Sequence, residues 1–139
     1  MIDEEFRPPT EWERKLLFRL MEQRFVGRTE TLQQLDGILV RQYDEHDPPC
    51  LDLQVTSHVQ LPIRIGCIIM ASYIDSTPGE GWMDRIDKEE WLEHVPRVRI
   101  LLHVLDWKLV HLEIVKDDSS PVLRRPTLDE LELTTFVPS

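Results

Sequence analysis

Between Val98 and Val115 apolar and polar residues alternate on both sides of a short polar break, and this alternation constrains the chain more than any other feature. Val98, Ile100, Leu102 and Val104 fall on one face of an extended strand, and Val110, Leu112 and Ile114 fall on one face of another. The register follows from burial. A two-residue loop at Asp106-Trp107 would set Ile100 against Glu113 and Leu102 against His111. A three-residue loop at Asp106-Trp107-Lys108 sets Val104 against Val110, Leu102 against Leu112 and Ile100 against Ile114, with all six apolar residues on one face. A slip of one residue would scatter them, so the longer loop is predicted. Trp107 argues the same way, because a two-residue hairpin turn needs positive φ at positions where a bulky side chain fits poorly. The preferred register also opposes His103 to His111 on the other face.

Upstream, the apolar period is helical. Thr10 and Glu13 fit a capping box, in which each side chain reaches the other's backbone N–H. Trp12, Leu16, Leu17, Leu20 and Met21 then recur at three- and four-residue spacing. A helix is predicted over 10–25, stopped near Gly27, and a second over 29–36, with Leu32 and Leu35 as its apolar face and Asp36-Gly37 as its stop. From Ile38 the period falls to two. Ile38–Tyr43 reads as a strand, Asp44–Pro49 as a polar turn, and Leu51, Leu53 and Val55 as the inner face of a half-buried strand. Ile63–Ile74 has no polar face across Cys67–Ala71, as expected of a strand covered on both sides. Pro78, Gly79 and Gly81 make a loop before a short helix near Asp87–Trp91. The tail from Pro121, with Leu128, Leu131, Leu133, Phe136 and Val137, can cover the sheet as a short helix or an edge strand. Segregated elements of this kind indicate an α+β fold, two N-terminal helices packed on a four- to five-stranded antiparallel sheet. One domain over 1–139 is expected, with 75–96 as a loop and short-helix insert between strands.

Charge narrows the function. Among 139 residues, 26 Asp and Glu outnumber 16 Lys and Arg, a net charge of −10. Nucleic acid and anionic membranes are bound by cations, so both are excluded as partners on this balance. No apolar run has the length of a membrane helix. Met1-Ile2-Asp3-Glu4-Glu5 lacks the basic and apolar regions of a signal peptide, which points to a cytoplasmic protein. In that compartment Cys50 and Cys67 are expected as thiols, not as a disulfide.

No motif names a reaction. Asp44-Glu45-His46-Asp47 is rich in metal-ligating types, but Pro48-Pro49 follows where a calcium loop needs glycine and a later glutamate, so a solvated turn is the reading. His103 and His111, with Glu113 nearby, could hold zinc or act as an acid/base pair, yet no spacing supplies a third ligand. Cross-strand stacking is the simpler expectation. Cys67 lies in an apolar strand with no basic partner, while Cys50, after two prolines, is expected to be the more exposed thiol. Nothing calls for a cofactor. Gly79-Glu80-Gly81 is flanked by acid, which is wrong for phosphate. Arg97, Arg99, Arg124 and Arg125 are expected to pair with the plentiful carboxylates. Trp12 belongs to the core, whereas Trp82, Trp91 and Trp107 fall in the insert or a turn, where exposed tryptophan anchors interfaces.

Arg7-Pro8-Pro9-Thr10-Glu11-Trp12-Glu13, then Phe25-Val26-Gly27-Arg28 with Leu32, Leu35 and Gly37, resembles the N-terminus of a family of small uncharacterised bacterial proteins, a domain of unknown function. Leu101-Leu102-His103-Val104, with Leu109, Leu112-Glu113-Ile114 and Ser120-Pro121, resembles the same family's C-terminal hairpin. The resemblance spans about two thirds of the chain in pieces. It implies architecture, namely a cap, a helix stop and a hairpin core, and carries over no catalytic residue. The 75–96 insert and Trp107, where a glycine-containing turn is more usual, depart from the family pattern.

Three functions remain. The first is a non-catalytic interaction module, immunity- or antitoxin-like, that docks a basic protein partner with Trp82, Trp91 or Trp107 at its surface. The second is a small metal-dependent or acid/base enzyme built on His103, His111 and Glu113. The third is a structural homodimer joined through the second face of the sheet.

Overall fold

The computed structural model describes residues 3–76 and 88–135. In chain order the elements are α1 (Glu11–Leu20), α2 (Arg28–Leu35), β1 (Leu39–Gln42), β2 (Leu51–Gln54), β3 (Ile65–Tyr73), α3 (Lys88–His94), β4 (Val98–Leu105), β5 (Lys108–Lys116) and β6 (Glu132–Thr135). The strands form one antiparallel sheet in the order β1-β2-β5-β4-β3-β6. The class is α+β, as expected. The sheet exceeds the expected four to five strands because the tail, after a 3-10 turn at Leu128–Glu130, adds β6 beside β3. Among the described residues no helix is long and apolar enough to cross a membrane.

Each element follows from local chemistry. The Thr10 hydroxyl accepts from the Glu13 N–H at 3.2 Å, and the Glu13 carboxylate accepts from the Thr10 N–H at 2.8 Å. Arg7 grips that carboxylate with two guanidinium nitrogens, at 2.7 and 3.0 Å. Burial alone would raise the Glu13 carboxyl, but Arg7 and Thr10 outweigh it and hold it below its usual range. α1 ends at Leu20, short of the expected 25. The Met21 and Glu22 amides turn to the Phe18 and Arg19 carbonyls, and Phe25 folds back into the core. α2 starts on Gly27 at φ +91°, where a Cβ would meet the Pro62 ring at 2.7 Å, so only glycine fits.

One face of the sheet carries the core. Val40, Leu51, Leu53, Leu109, Leu112, Ile100, Leu102 and Ile69 meet Leu16, Leu17, Leu20 and Leu35, with α1 against β3 and α2 against β5. β3 lies inside the sheet, between β4 and β6. The expected two-sided cover is partial: Ile69, Ala71 and Tyr73 are buried in the core and Ser72 is buried opposite, but a bulge between Cys67 and Ile69 leaves Cys67 and Met70 half-buried. The exposure expected of the cysteines reverses, since Cys50 is the buried one.

The β4–β5 hairpin corrects the predicted loop. Leu102 opposes Leu112 and Ile100 opposes Ile114, as burial requires, and His103 opposes His111. The turn, however, has two residues, Asp106 and Trp107, at φ +52° and +62°. Val104 therefore meets Leu109, and a bulge at Val110 restores the register before His111. Leu109 takes the core place expected of Val110.

The C-terminal segment is strapped across the core. Tyr73 donates its hydroxyl to the Arg124 carbonyl at 2.8 Å, Arg19 donates to the Leu128 and Leu131 carbonyls, and Arg124 pairs with Glu130 at 2.6 Å. Arg124 pulls the Glu130 carboxyl down to about 2, with help from Thr127. A carboxyl lowered on folding stabilises above its unfolded value and ceases to do so as pH falls through its folded one. The strap should therefore loosen between about pH 4.5 and about 2. Carboxyl NMR titration checks this: a Glu130 midpoint at the ordinary glutamate value would refute it.

Candidate functional site

The core-facing alternation leaves every second residue on the outer face of the sheet. There the registers align one transverse row across five strands: Arg41 on β1, Asp52 on β2, His111 on β5, His103 on β4 and Cys67 on β3. The hairpin register pairs the two histidines from sequence, and the alternation of Leu51, Leu53 and Val55 leaves Asp52 on the other face. That Asp52 lies beside His111 is not legible there, because nothing local states which strand β2 joins.

The row is linked side by side. Arg41 pairs with Asp52 at 2.8 Å, and His111 Nδ1 lies 3.6 Å from the other Asp52 oxygen. The His103 and His111 rings are tilted, 5.7 Å apart, and His103 Nε2 meets Glu113 Oε1 at 3.1 Å. Tyr43, which sequence reasoning did not single out, closes the row with its hydroxyl 2.7 Å from His111 Nε2. A Tyr–His–Asp relay has the parts of a proton shuttle. Burial, with Cys50 and Asp44 nearby, pushes the Tyr43 phenol up, so it keeps its proton and is no nucleophile. The 3.6 Å gap to Asp52 is too long for the hydrogen bond that would orient the imidazole. Among the described residues, no three His, Cys, Asp or Glu side chains group as metal ligands. Burial raises both thiols; Cys67 donates to the Ile69 carbonyl across the bulge, and Cys50 to that of Ile114. The acidic turn is closed on itself, with Asp44 accepting from the His46 and Cys50 amides and Asp47 pairing with Arg125. Arg97, Arg99 and Arg124 pair with Glu132, Asp117 and Glu130, as expected.

At one end of the same face the row gives way to an apolar corner. Ile65 and Leu105 are directly paired and both exposed, at 65% and 47%, and the turn beside them projects Trp107 at 38%. Trp107 is anchored by its backbone. Its N–H donates to the Arg64 carbonyl at 3.1 Å, and its carbonyl accepts from Leu61 N–H at 2.9 Å and from Gln34 Nε2 at 2.9 Å. The Arg64 guanidinium lies 5.5 Å from the centroid of the indole ring and pairs loosely with Asp106. Of the other tryptophans named as anchors, Trp91 is half-buried on α3, and Trp82 lies outside the described residues. So does half of the 75–96 insert, at 77–87. Asp106 and Trp107, one bulge from His111, depart from the turn expected of the sequence. No family model, curated protein or solved structure matches the chain.

Proposed function

We propose that this chain is a non-catalytic protein-interaction module that docks a basic protein through the Ile65–Leu105–Trp107 corner. The observation that carries the reading is Trp107 itself. A tryptophan in the left-handed region costs about 1–2 kcal/mol that glycine would not. Here three backbone contacts hold it there with its ring part exposed. Strain kept at an exposed aromatic residue is a mark of use. Exposed tryptophan beside aliphatic neighbours is the chemistry of an interface anchor. The partner's sign follows from the net charge of −10, which draws a cation in from a distance even though most arginines are internally paired. Next to the corner Arg64 is offset by Asp106 and Lys108 stands opposite Leu105, so the attraction is that of the whole chain's charge and the corner itself supplies the apolar contact.

Trp107→Gly separates folding from binding. It creates the Asp-Gly pair that a turn with two positive φ values prefers, so stability should stay within about 1 kcal/mol of wild type. Loss of the ring should weaken capture of the partner by about 30-fold or more. The chain, immobilised, is exposed to a cell extract, and the retained proteins are titrated against both forms at rising salt. A basic protein that is retained, lost with Trp107→Gly and released by salt supports the reading. Equal retention by both forms, or salt-insensitive binding, overturns it. Sedimentation of the chain alone supplies the third outcome: a dimer dispersed by Trp107→Gly would assign the corner to a second copy.

A further inference from the structure

Between the N-terminal segment, α1 and the α2–β1 turn is a cleft of about 380 Å³, within the range of small-molecule sites. Leu17 and Leu35 form its floor and Phe18, 40% exposed, one wall. Two opposite charges line it, Arg14 and Asp36. Among the described residues neither has an ion-pair partner, whereas Arg7, Arg19, Arg41, Arg97, Arg99, Arg124 and Arg125 all pair. Arg14 instead lies 5.7 Å from the centroid of the Phe18 ring.

The negative end is reinforced twice. Asp36 caps the C-terminus of α2, where unpaired carbonyls concentrate partial negative charge. The Ile38 carbonyl also lacks a donor among the described residues, and the reason is in the sequence. Arg7 and Val40 exchange both hydrogen bonds in an isolated antiparallel bridge; the position that would continue it opposite Ile38 is Pro9, and proline has no N–H to give. Ile38 is buried and lines the cleft, and its carbonyl is left without a hydrogen bond from the described residues.

We propose that this cleft binds an apolar α-amino acid, or a small zwitterion built like one. Its carboxylate takes Arg14, its ammonium group takes Asp36 and the Ile38 carbonyl, and its side chain lies over Leu17 and Leu35 against Phe18. An apolar anion would satisfy only Arg14 and face Asp36 with like charge. An apolar cation would meet the converse.

The probe is L-phenylalanine, titrated into the full chain and followed by the Gly37 and Leu39 amide shifts. Saturable shifts confined to the cleft are expected. 3-Phenylpropionate and phenethylamine, each lacking one charge, should bind roughly tenfold more weakly, as should the parent amino acid to Arg14→Gln and to Asp36→Asn, the scale of one charged hydrogen bond. Glycine, a zwitterion without the apolar body, should not saturate. Both substituted residues are exposed, so the variants should melt as wild type does. Absence of saturable shifts overturns the proposal. So does phenylpropionate binding that equals phenylalanine binding, or binding unchanged by both variants.

Discussion

Asp75→Ala should lower the free energy of unfolding by about 3–5 kcal/mol. The Asp75 side chain is fully buried and that of Lys116 nearly so, at 0% and 6% exposure. The ammonium lies 3.1 Å from both carboxylate oxygens. It is hydrogen-bonded to Oδ2, while Oδ1 has no hydrogen-bond partner among the described residues and faces the ammonium as an ion pair. Oδ2 also accepts from the Leu123 amide at 2.7 Å. The carboxylate thus ties the end of β3 to β5 and to the strap that leads to β6. Removing it strands an ammonium out of water, and the stranded charge dominates the loss. Asp75→Asn with Lys116→Met, which leaves no buried charge and keeps an acceptor for Leu123, should recover more than half of it. Urea midpoints for the two variants decide the matter. An Asp75→Ala protein within about 1 kcal/mol of wild type would show that the pair is solvated in solution.

Gln34→Leu comes next, with an expected loss of about 2–5 kcal/mol. Gln34 is completely buried on α2 and spends its whole amide on backbone. Its nitrogen donates to the Val59 carbonyl at 2.7 Å and the Trp107 carbonyl at 2.9 Å, and its oxygen accepts from the Leu109 amide at 3.0 Å. Trp107 would keep its contact from Leu61, but the Leu109 N–H would be orphaned in the core and the half-buried Val59 would lose its donor from Gln34. Leucine has the right bulk and none of the chemistry. Hydrogen exchange at Leu109 gives the specific readout: it should accelerate well beyond the change in global stability. Unaltered exchange at Leu109 would mean that the amide does not hold the turn. The same substitution should loosen Trp107 and so weaken partner binding even where the chain remains folded.

These two residues show where sequence reading ends. The alternation at Val98–Val104 and the box at Thr10 and Glu13 were legible because they express burial and capping within a few residues. Burial likewise selected the Leu102–Leu112 and Ile100–Ile114 pairs. The turn was misread because local propensity disfavours tryptophan at positive φ. What overrides that preference is a set of donors and acceptors from Arg64, Leu61 and Gln34, distant in the chain. Gln34 itself looks like any solvated position of a short helix. Asp75 sits at the head of a stretch whose prolines and glycines announce a loop, and nothing in its neighbours says that a lysine on β5 meets it. The histidine pair was legible as a pair; its company of Asp52, Arg41 and Tyr43 depends on β2 joining β5, a choice made by the whole sheet.

The strand order has a kinetic meaning. The hairpin of shortest connection, β4–β5, lies in the middle of the sheet, joined by two residues. Closing so short a loop costs the least chain entropy and is the fastest of the available pairings. β3 can then add to one side and β2, bringing β1, to the other, with β6 last against β3. No strand has to insert between two that are already paired, so the sheet can be built by accretion from its centre. The order of assembly then runs opposite to the order of exposure. The turn best placed to open folding is also the one that ends up presented to solvent, and Trp107 at positive φ should slow its closure relative to glycine, an expectation that the folding rate of Trp107→Gly checks.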